Sequence, residues 1–169
     1  MKKTIFITGA AKRIGKEIAL CFSEMGWNII IHYNSSKNDA QVLADEINGT
    51  NPDSAITVQG NLDVKEDVEK VINEVRDAFP TIDLLINNAS TFYPTPIEDI
   101  SEEHWDKLVG SNLKGPLFLI KGLKDKLKES KGSIINITDT NLSKGVANYS
   151  IYSAAKAGLE SITKGLARE

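Results

Sequence analysis

The sequence predicts an α/β protein built on a doubly wound parallel sheet of Rossmann type. Three observations predict it. Short apolar, β-branched runs alternate with helical stretches along the chain. The first run, Thr4 to Thr8, passes at once into a Gly-bounded turn, Gly9 to Gly15, and a helix start. Polar loops follow Thr8, Tyr33, Val58, Ile86 and Thr138. In a parallel sheet those loops all leave the same end and converge on one crevice. At 169 residues without a repeat or a linker, the chain reads as one domain, 1–169.

After Thr4–Thr8, a helix is predicted with Ile14, Ile18, Ala19, Phe22 and Met25 at helical spacing, closed by Gly26. Asn28 to Tyr33 is the second strand. Asn34-Ser35-Ser36 is a polar turn able to cap the next helix, whose apolar stripe is Ala40, Leu43, Ala44 and Ile47. Ala55 to Val58 is shorter and more polar, as suits a position near a sheet edge. Val64 to Phe79 is helical, with Val68, Val71, Ile72 and Val75 on one face and Pro80 as its stop. Ile82 to Ile86 is the fourth strand. Ser101 caps a long helix that runs past Trp105, Leu108 and Leu113 towards Leu127, with a bend expected at Gly115-Pro116. Ser133 to Thr138 is the fifth strand, and a helix begins near Ser150.

Composition narrows the function. Residues are 41% hydrophobic and 25% charged, ordinary for a globular protein, and the net charge of -3 offers no basic footprint for nucleic acid or anionic membrane. Cys21 is the only cysteine, and His32 and His104 are far apart in sequence, so no metal site is expected. No apolar run approaches membrane-spanning length, and the N-terminal apolar stretch is too short for a signal peptide. The expected location is cytoplasmic.

Chemistry concentrates in a few places. The turn Gly9 to Gly15 sets backbone N–H groups and a helix N-terminus where a pyrophosphate can sit, although an ordinary connection can also carry two glycines. The second strand ends at His32-Tyr33-Asn34-Ser35-Ser36, without the acidic residue that an NAD site uses on its ribose. Lys12 and Arg13 in the neighbouring turn make this pocket cationic and hydroxyl-rich, which favours NADP(H). The loop Asn87 to Pro94 has small residues that admit a ligand and two aromatics, Phe92 and Tyr93, that could wall it. Tyr152 and Lys156 stand four apart on one helix face. Such a pair is commonly just solvated surface. A cation beside a phenol favours the phenolate, and the pair can then exchange a proton with a carbonyl, hydroxyl or imine. Asp139, at the end of the fifth strand, brings a carboxyl to the same point if both face the crevice.

Together these residues resemble the short-chain dehydrogenase/reductase superfamily. Its signatures are a Thr-Gly-x-x-x-Gly-x-Gly loop, an Asn-Asn-Ala-Gly run, an Asn in the long helix, a Ser, and Tyr-x-x-x-Lys. Here they stand as Thr8 to Gly15, Asn87-Asn88-Ala89-Ser90, Asn112, Asp139 in place of Ser, and Tyr152 with Lys156. Arg13 and Ser90 in place of glycines, Asp139, His32-Tyr33 and Asn-Ala-Ser-x-Phe-Tyr-Pro-Thr-Pro are similar to the pteridine reductase branch. The resemblance implies NADPH-dependent reduction of a substrate of dihydrobiopterin, dihydromonapterin or dihydrofolate type. The alternatives are a 3-oxoacyl-carrier reductase and a non-catalytic NADP-binding relative.

The resemblance also implies roles. Cofactor contacts fall to Gly9, Lys12, Arg13, Ile14, Gly15, His32, Tyr33, Asn34, Ser35, Ser36, Asn61, Leu62, Asn88, Ala89, Ser90, Tyr152 and Lys156. Substrate contacts fall to Ser90, Phe92, Asp139 and Tyr152, with Phe92 stacked on the pterin. Catalysis falls to Asp139, Tyr152, Lys156 and Asn112, with Lys156 lowering the Tyr152 pKa and Asn112 positioning Lys156 through water. Ser35 stands where pteridine reductases have Arg, and Asn61 where an Asp usually contacts adenine. More of the 2′-phosphate would then rest on Lys12 and Arg13. A homo-oligomer, specifically a tetramer, is implied. Family members continue with further strands, so the domain is expected to be incomplete at its C-terminus, inactive or poorly folded alone, with the fifth strand as an exposed edge.

Overall fold

The computed structural model describes residues 2–142 and 144–169. Five strands form one parallel sheet: β1 Thr4–Ile7, β2 Asn28–Tyr33, β3 Ala55–Gln59, β4 Leu84–Asn87 and β5 Ser133–Asn136, in the order β3-β2-β1-β4-β5. The helices are α1 Arg13–Glu24, α2 Lys37–Thr50, α3 Lys65–Ala78, α4 Glu102–Val109, α5 Gly115–Ser130 and α6 Ser150–Leu166. The chain winds outward from β1 to β3, then returns to place β4 against the other side of β1. That reversal opens the crevice between the β1 and β4 ends, where ligands bind in open α/β sheets.

Period-two alternation sends Ile5 and Ile7 to one face and Phe6 to the other. On the first face they meet Ile29, Ile31, Ala19, Leu43 and Ile47 from β2, α1 and α2. On the second, Phe6 meets Ile30, Leu85, Val71, Val75, Leu119 and Leu123 from β2, β4, α3 and α5. Both faces are covered, which is why β1 and β2 read as unbroken apolar runs. Each such side chain contributes roughly 1.5–3 kcal/mol by leaving water.

Most elements lie where the sequence places them, with four corrections. In α1 the buried line is Gly15, Ala19 and Ser23, while Ile14 and Met25 are 63% and 64% exposed. Small residues let this helix lie close to the sheet, and hydrophobicity alone mis-phased it. Ser36 stands at the start of α2 but makes no capping bond, whereas Ser101 does cap α4, accepting from the His104 N–H at 3.2 Å. The long helix is interrupted not at Pro116 but just before it, by a π turn over Gly110–Lys114. Pro116 lacks the N–H that would close an α-helical bond to the Asn112 carbonyl, so the wider turn is a local answer to it. Trp105, expected on the apolar stripe, is half exposed. β5 is an edge of the sheet, with Ile135 48% exposed. Among the described residues no helix is long and apolar enough to cross a membrane.

Candidate active site

The turn after β1 is held by paired hydrogen bonds. Thr8 Oγ1 accepts from the N–H groups of Asn88 and Ala89, both at 2.9 Å. Asn88 Nδ2 donates back to the carbonyls of Thr8 and Gly9, at 2.9 and 3.1 Å. The Asn88 side chain thus clamps two loops. Gly9 has φ +62°, and a Cβ there would fall 2.9 Å from Ala89 Cα. Arg13 also takes a left-handed conformation, φ 55°, at the position where the family motif has Gly. Helix α1 follows Lys12, which stands at its N-cap without a side-chain capping bond, and has no acidic residue in its first turn. Uncapped N–H groups, the positive helix end and three nearby cations, Lys12, Arg13 and Lys16, fit a pyrophosphate.

At the end of β2 the residues expected at the cofactor divide between the interior and the surface. His32 is 1% exposed and bonded on both sides: Nδ1 accepts from the Gly9 N–H at 3.1 Å, and Nε2 faces the Gly60 carbonyl at 3.0 Å. Burial holds its pKa down to about 4, so the ring is neutral and Nε2 carries the proton. Its ring supports the turn from inside the fold. Tyr33 and Leu62 point their side chains into the two cores, because strand alternation and helix packing claim them. Asn34, Ser35, Lys12 and Arg13 are exposed and Asn61 is partly so. Asn34 Nδ2 donates to Asn61 Oδ1 at 3.4 Å, linking the two loops that would flank an adenosine. A hollow of about 310 Å³ lies between α1 and α2, lined by Ala11, Lys12, Arg13, Lys16, Asn38, Asp39 and Val42. Asp39 pairs with Lys12 there at 3.0 Å, an acid that the sequence reading did not place near the pocket. Both partners are about half exposed, so the pair is weak.

The catalytic candidates do meet. The Tyr152 hydroxyl donates to Asp139 Oδ2 at 3.0 Å. Lys156 Nζ donates to the Ile137 carbonyl at 2.9 Å and lies 6.0 Å from the Tyr152 ring centre. Both Tyr152 and Lys156 are buried. The expectation that Lys156 depresses the phenol is not met. Burial first, then the bond to Asp139 and its charge, push Tyr152 up to about 12. Lys156 is turned to a carbonyl, and the nearest charge to the phenol is the carboxylate. Burial also brings Lys156 down to about 8, against a smaller pull upward from Asp139. Asp139 is itself held below its usual value, first by the Asn141 N–H, which it accepts at 2.7 Å.

Asn112, in the π turn and fully buried, is bound to the substrate-side loop and makes no direct bond to Lys156. Its Oδ1 accepts from Ser90 Oγ at 2.8 Å, and its Nδ2 donates to the carbonyls of Thr91 and Leu108 at 2.8 and 2.9 Å. Phe92 meets Tyr152 edge to face at 4.8 Å and stacks on Tyr149 at 4.5 Å with planes 13° apart, yet stays 58% exposed. Tyr149 was missed by the sequence reading. Its position three residues before Tyr152, at the N-cap of α6, was the available signal.

Residues 3–169 match the short chain dehydrogenase family. The chain is 34% identical over 170 residues to 3-oxoacyl-[acyl-carrier-protein] reductase FabG of Staphylococcus epidermidis, covering 100% of this chain and 69% of that protein. It is 35% identical over 164 residues to the 3-oxoacyl-[acyl-carrier-protein] reductase of Synechocystis sp., with coverages of 96% and 66%. It is 32% identical over 203 residues to Pteridine reductase 1 of Leishmania tarentolae, with coverages of 96% and 70%.

Proposed function

We propose that this chain, which belongs to the short-chain dehydrogenase family and is an oxidoreductase, reduces a pteridine ring with NADPH. The observation that carries this reading is the Asp139 carboxylate bonded to the Tyr152 hydroxyl, with the exposed ring of Phe92 beside it. A carboxylate at that point would repel the alkoxide that develops when a ketone is reduced. It would instead accept from the ring N–H and amino groups of a pteridine, and Phe92 offers the flat surface such a ring needs.

The nicotinamide cofactor supplies the hydride when bound. The chain's own residues handle the proton. Tyr152 keeps its proton at neutral pH and offers it to the nitrogen next to the reduced carbon. Asp139 orients the phenol and takes up a proton from solvent to restore it. Lys156, held by the Ile137 carbonyl, presents a cation towards the ribose. Asn112 fixes the Ser90-Thr91 backbone from beneath, and so fixes where Phe92 stands.

A second reading, 3-oxoacyl-carrier reduction, is favoured by the identities of 34–35% to reductases of that name. Assays of the native protein for NADPH oxidation with dihydrobiopterin, dihydrofolate and an acetoacetyl thioester separate the two. Turnover of the thioester alone would overturn the pteridine assignment.

Arg13 carries the NADP preference in this reading. Arg13→Gly restores the residue type suited to φ 55° and removes a cation from the hollow. The melting temperature is expected to hold or rise slightly, because left-handed backbone costs an L-residue roughly 1–2 kcal/mol. KM for NADPH is expected to rise about tenfold, in line with loss of a charge-assisted bond, while KM for NADH barely moves. Equal changes for both cofactors would show that Arg13 does not meet the 2′-phosphate.

A further inference from the structure

We propose that His32 is a positioning residue for the cofactor: its neutral ring fixes the turn after β1 against the loop after β3, so that the pyrophosphate meets a turn already set. The inference rests on the dinucleotide reading above and goes beyond it. The sequence resemblance assigns His32 to cofactor contact, yet its side chain is enclosed, 1% exposed, and edge-on to Phe6 at 6.4 Å. Both nitrogens are spent on backbone. Nδ1 takes the Gly9 N–H and Nε2 gives to the Gly60 carbonyl. Its own carbonyl accepts from the Ala10 N–H at 2.8 Å, and the Tyr33 carbonyl accepts from the Gly60 N–H at 3.1 Å. One residue therefore ties three strand ends together.

Two consequences follow from the geometry. The Gly9 N–H points inward to His32, so it is withdrawn from any anion, and the phosphate donors must come from the start of α1. The left-handed Gly9 is also held from both sides, by His32 through its N–H and by Asn88 through its carbonyl. A turn held this way costs little further ordering when the ligand arrives.

Three substitutions separate the two bonds. His32→Phe keeps the ring and loses both. His32→Asn places an acceptor near Nδ1 and retains the Gly9 bond alone. His32→Gln reaches the Nε2 position and retains the Gly60 bond alone. Amide exchange at Gly9 is expected to accelerate in His32→Phe and His32→Gln and to stay slow in His32→Asn. The Kd for NADPH is expected to rise about tenfold in His32→Phe and His32→Gln and about twofold in His32→Asn, tenfold being 1.4 kcal/mol. The Kd for adenosine 2′-monophosphate, which has no pyrophosphate to seat on the turn, is expected to rise by no more than about twofold in all three, since 1.4 kcal/mol is tenfold and only the flanking contacts shift. A general loss of structure would weaken both ligands alike, and that result overturns the proposal. Unaltered Gly9 exchange in His32→Phe overturns the brace itself. Failure of the wild-type protein to bind NADPH would remove the dinucleotide reading, and this proposal with it.

Discussion

Tyr152→Phe is expected to lower turnover about a thousandfold while leaving NADPH affinity within about twofold, the scale of a lost general acid. The hydroxyl is the only group that this change removes. It sits 3.0 Å from Asp139, and the ring that remains still packs against Phe92. The pH profile sharpens the test. Tyr152 holds its proton to about 12, and Asp139 stays a carboxylate well below neutrality. Lys156 loses its proton as pH rises through about 8, far earlier than a solvated lysine. At neutral pH the site is therefore phenol, carboxylate and ammonium. Activity of the wild-type protein is expected to decline on the alkaline side from near pH 8, where the ammonium is lost, and not near 10, where an ordinary phenol would titrate. Stopped-flow rates and NADPH titrations across pH 6 to about 10 check both points. Retention of a tenth of the rate by Tyr152→Phe would remove Tyr152 from the proton path.

Much of this site is legible in the sequence because its parts are fixed by strand ends. Thr8, Asn88 and Asp139 each follow a strand, and a parallel sheet brings those ends together whatever the helices do. Tyr152 and Lys156 need only one helix to share a face. The features that escaped depend on distances that no period encodes. The buried line Gly15-Ala19-Ser23 reflects close approach of helix to sheet, which the apolar pattern of Ile14 and Met25 does not register. The π turn is a response to Pro116 displaced by a few residues, so the proline marks it without locating it. The direction of the Tyr152 shift turns on which charged side chain reaches the hydroxyl first. Spacing along α6 favours Lys156, whereas the fold gives that place to Asp139. His32 shows the same limit. Its position next to the cofactor loops is readable, but strand alternation turns its ring inward, and only the fold shows both nitrogens spent on backbone.

The second large effect is expected at Gly15, where two opposing terms can be weighed. In an open helix, Gly→Ala stabilises by about 0.8–1 kcal/mol. At Gly15 an added Cβ would lie 2.4 Å from the Gly9 carbonyl oxygen, 2.8 Å from Ala10 Cα and 2.8 Å from Asn88 Nδ2. Two of these are backbone atoms, and the Gly9 oxygen is held by Asn88 while the Gly9 N–H is held by His32. The turn cannot give way without breaking one of those bonds. Overpacking costs roughly 1–3 kcal/mol, and three contacts below 3.0 Å put Gly15 in the upper half of that range, so the clash outweighs the helix gain and the net loss is about 1–2 kcal/mol. For a chain of this size that lowers the melting temperature by about 2–8 °C. NADPH affinity is expected to fall about a hundredfold, since the displaced atoms are the cradle itself. Gly165→Ala, also on a helix but with nothing within 4 Å of the new Cβ, is expected to shift the other way, by about +2 °C. The opposite signs of two identical substitutions isolate the contact with the turn. If both variants melt higher than the wild type, the approach of α1 to the Gly9 carbonyl does not limit this fold, and the cradle has room that its geometry denies.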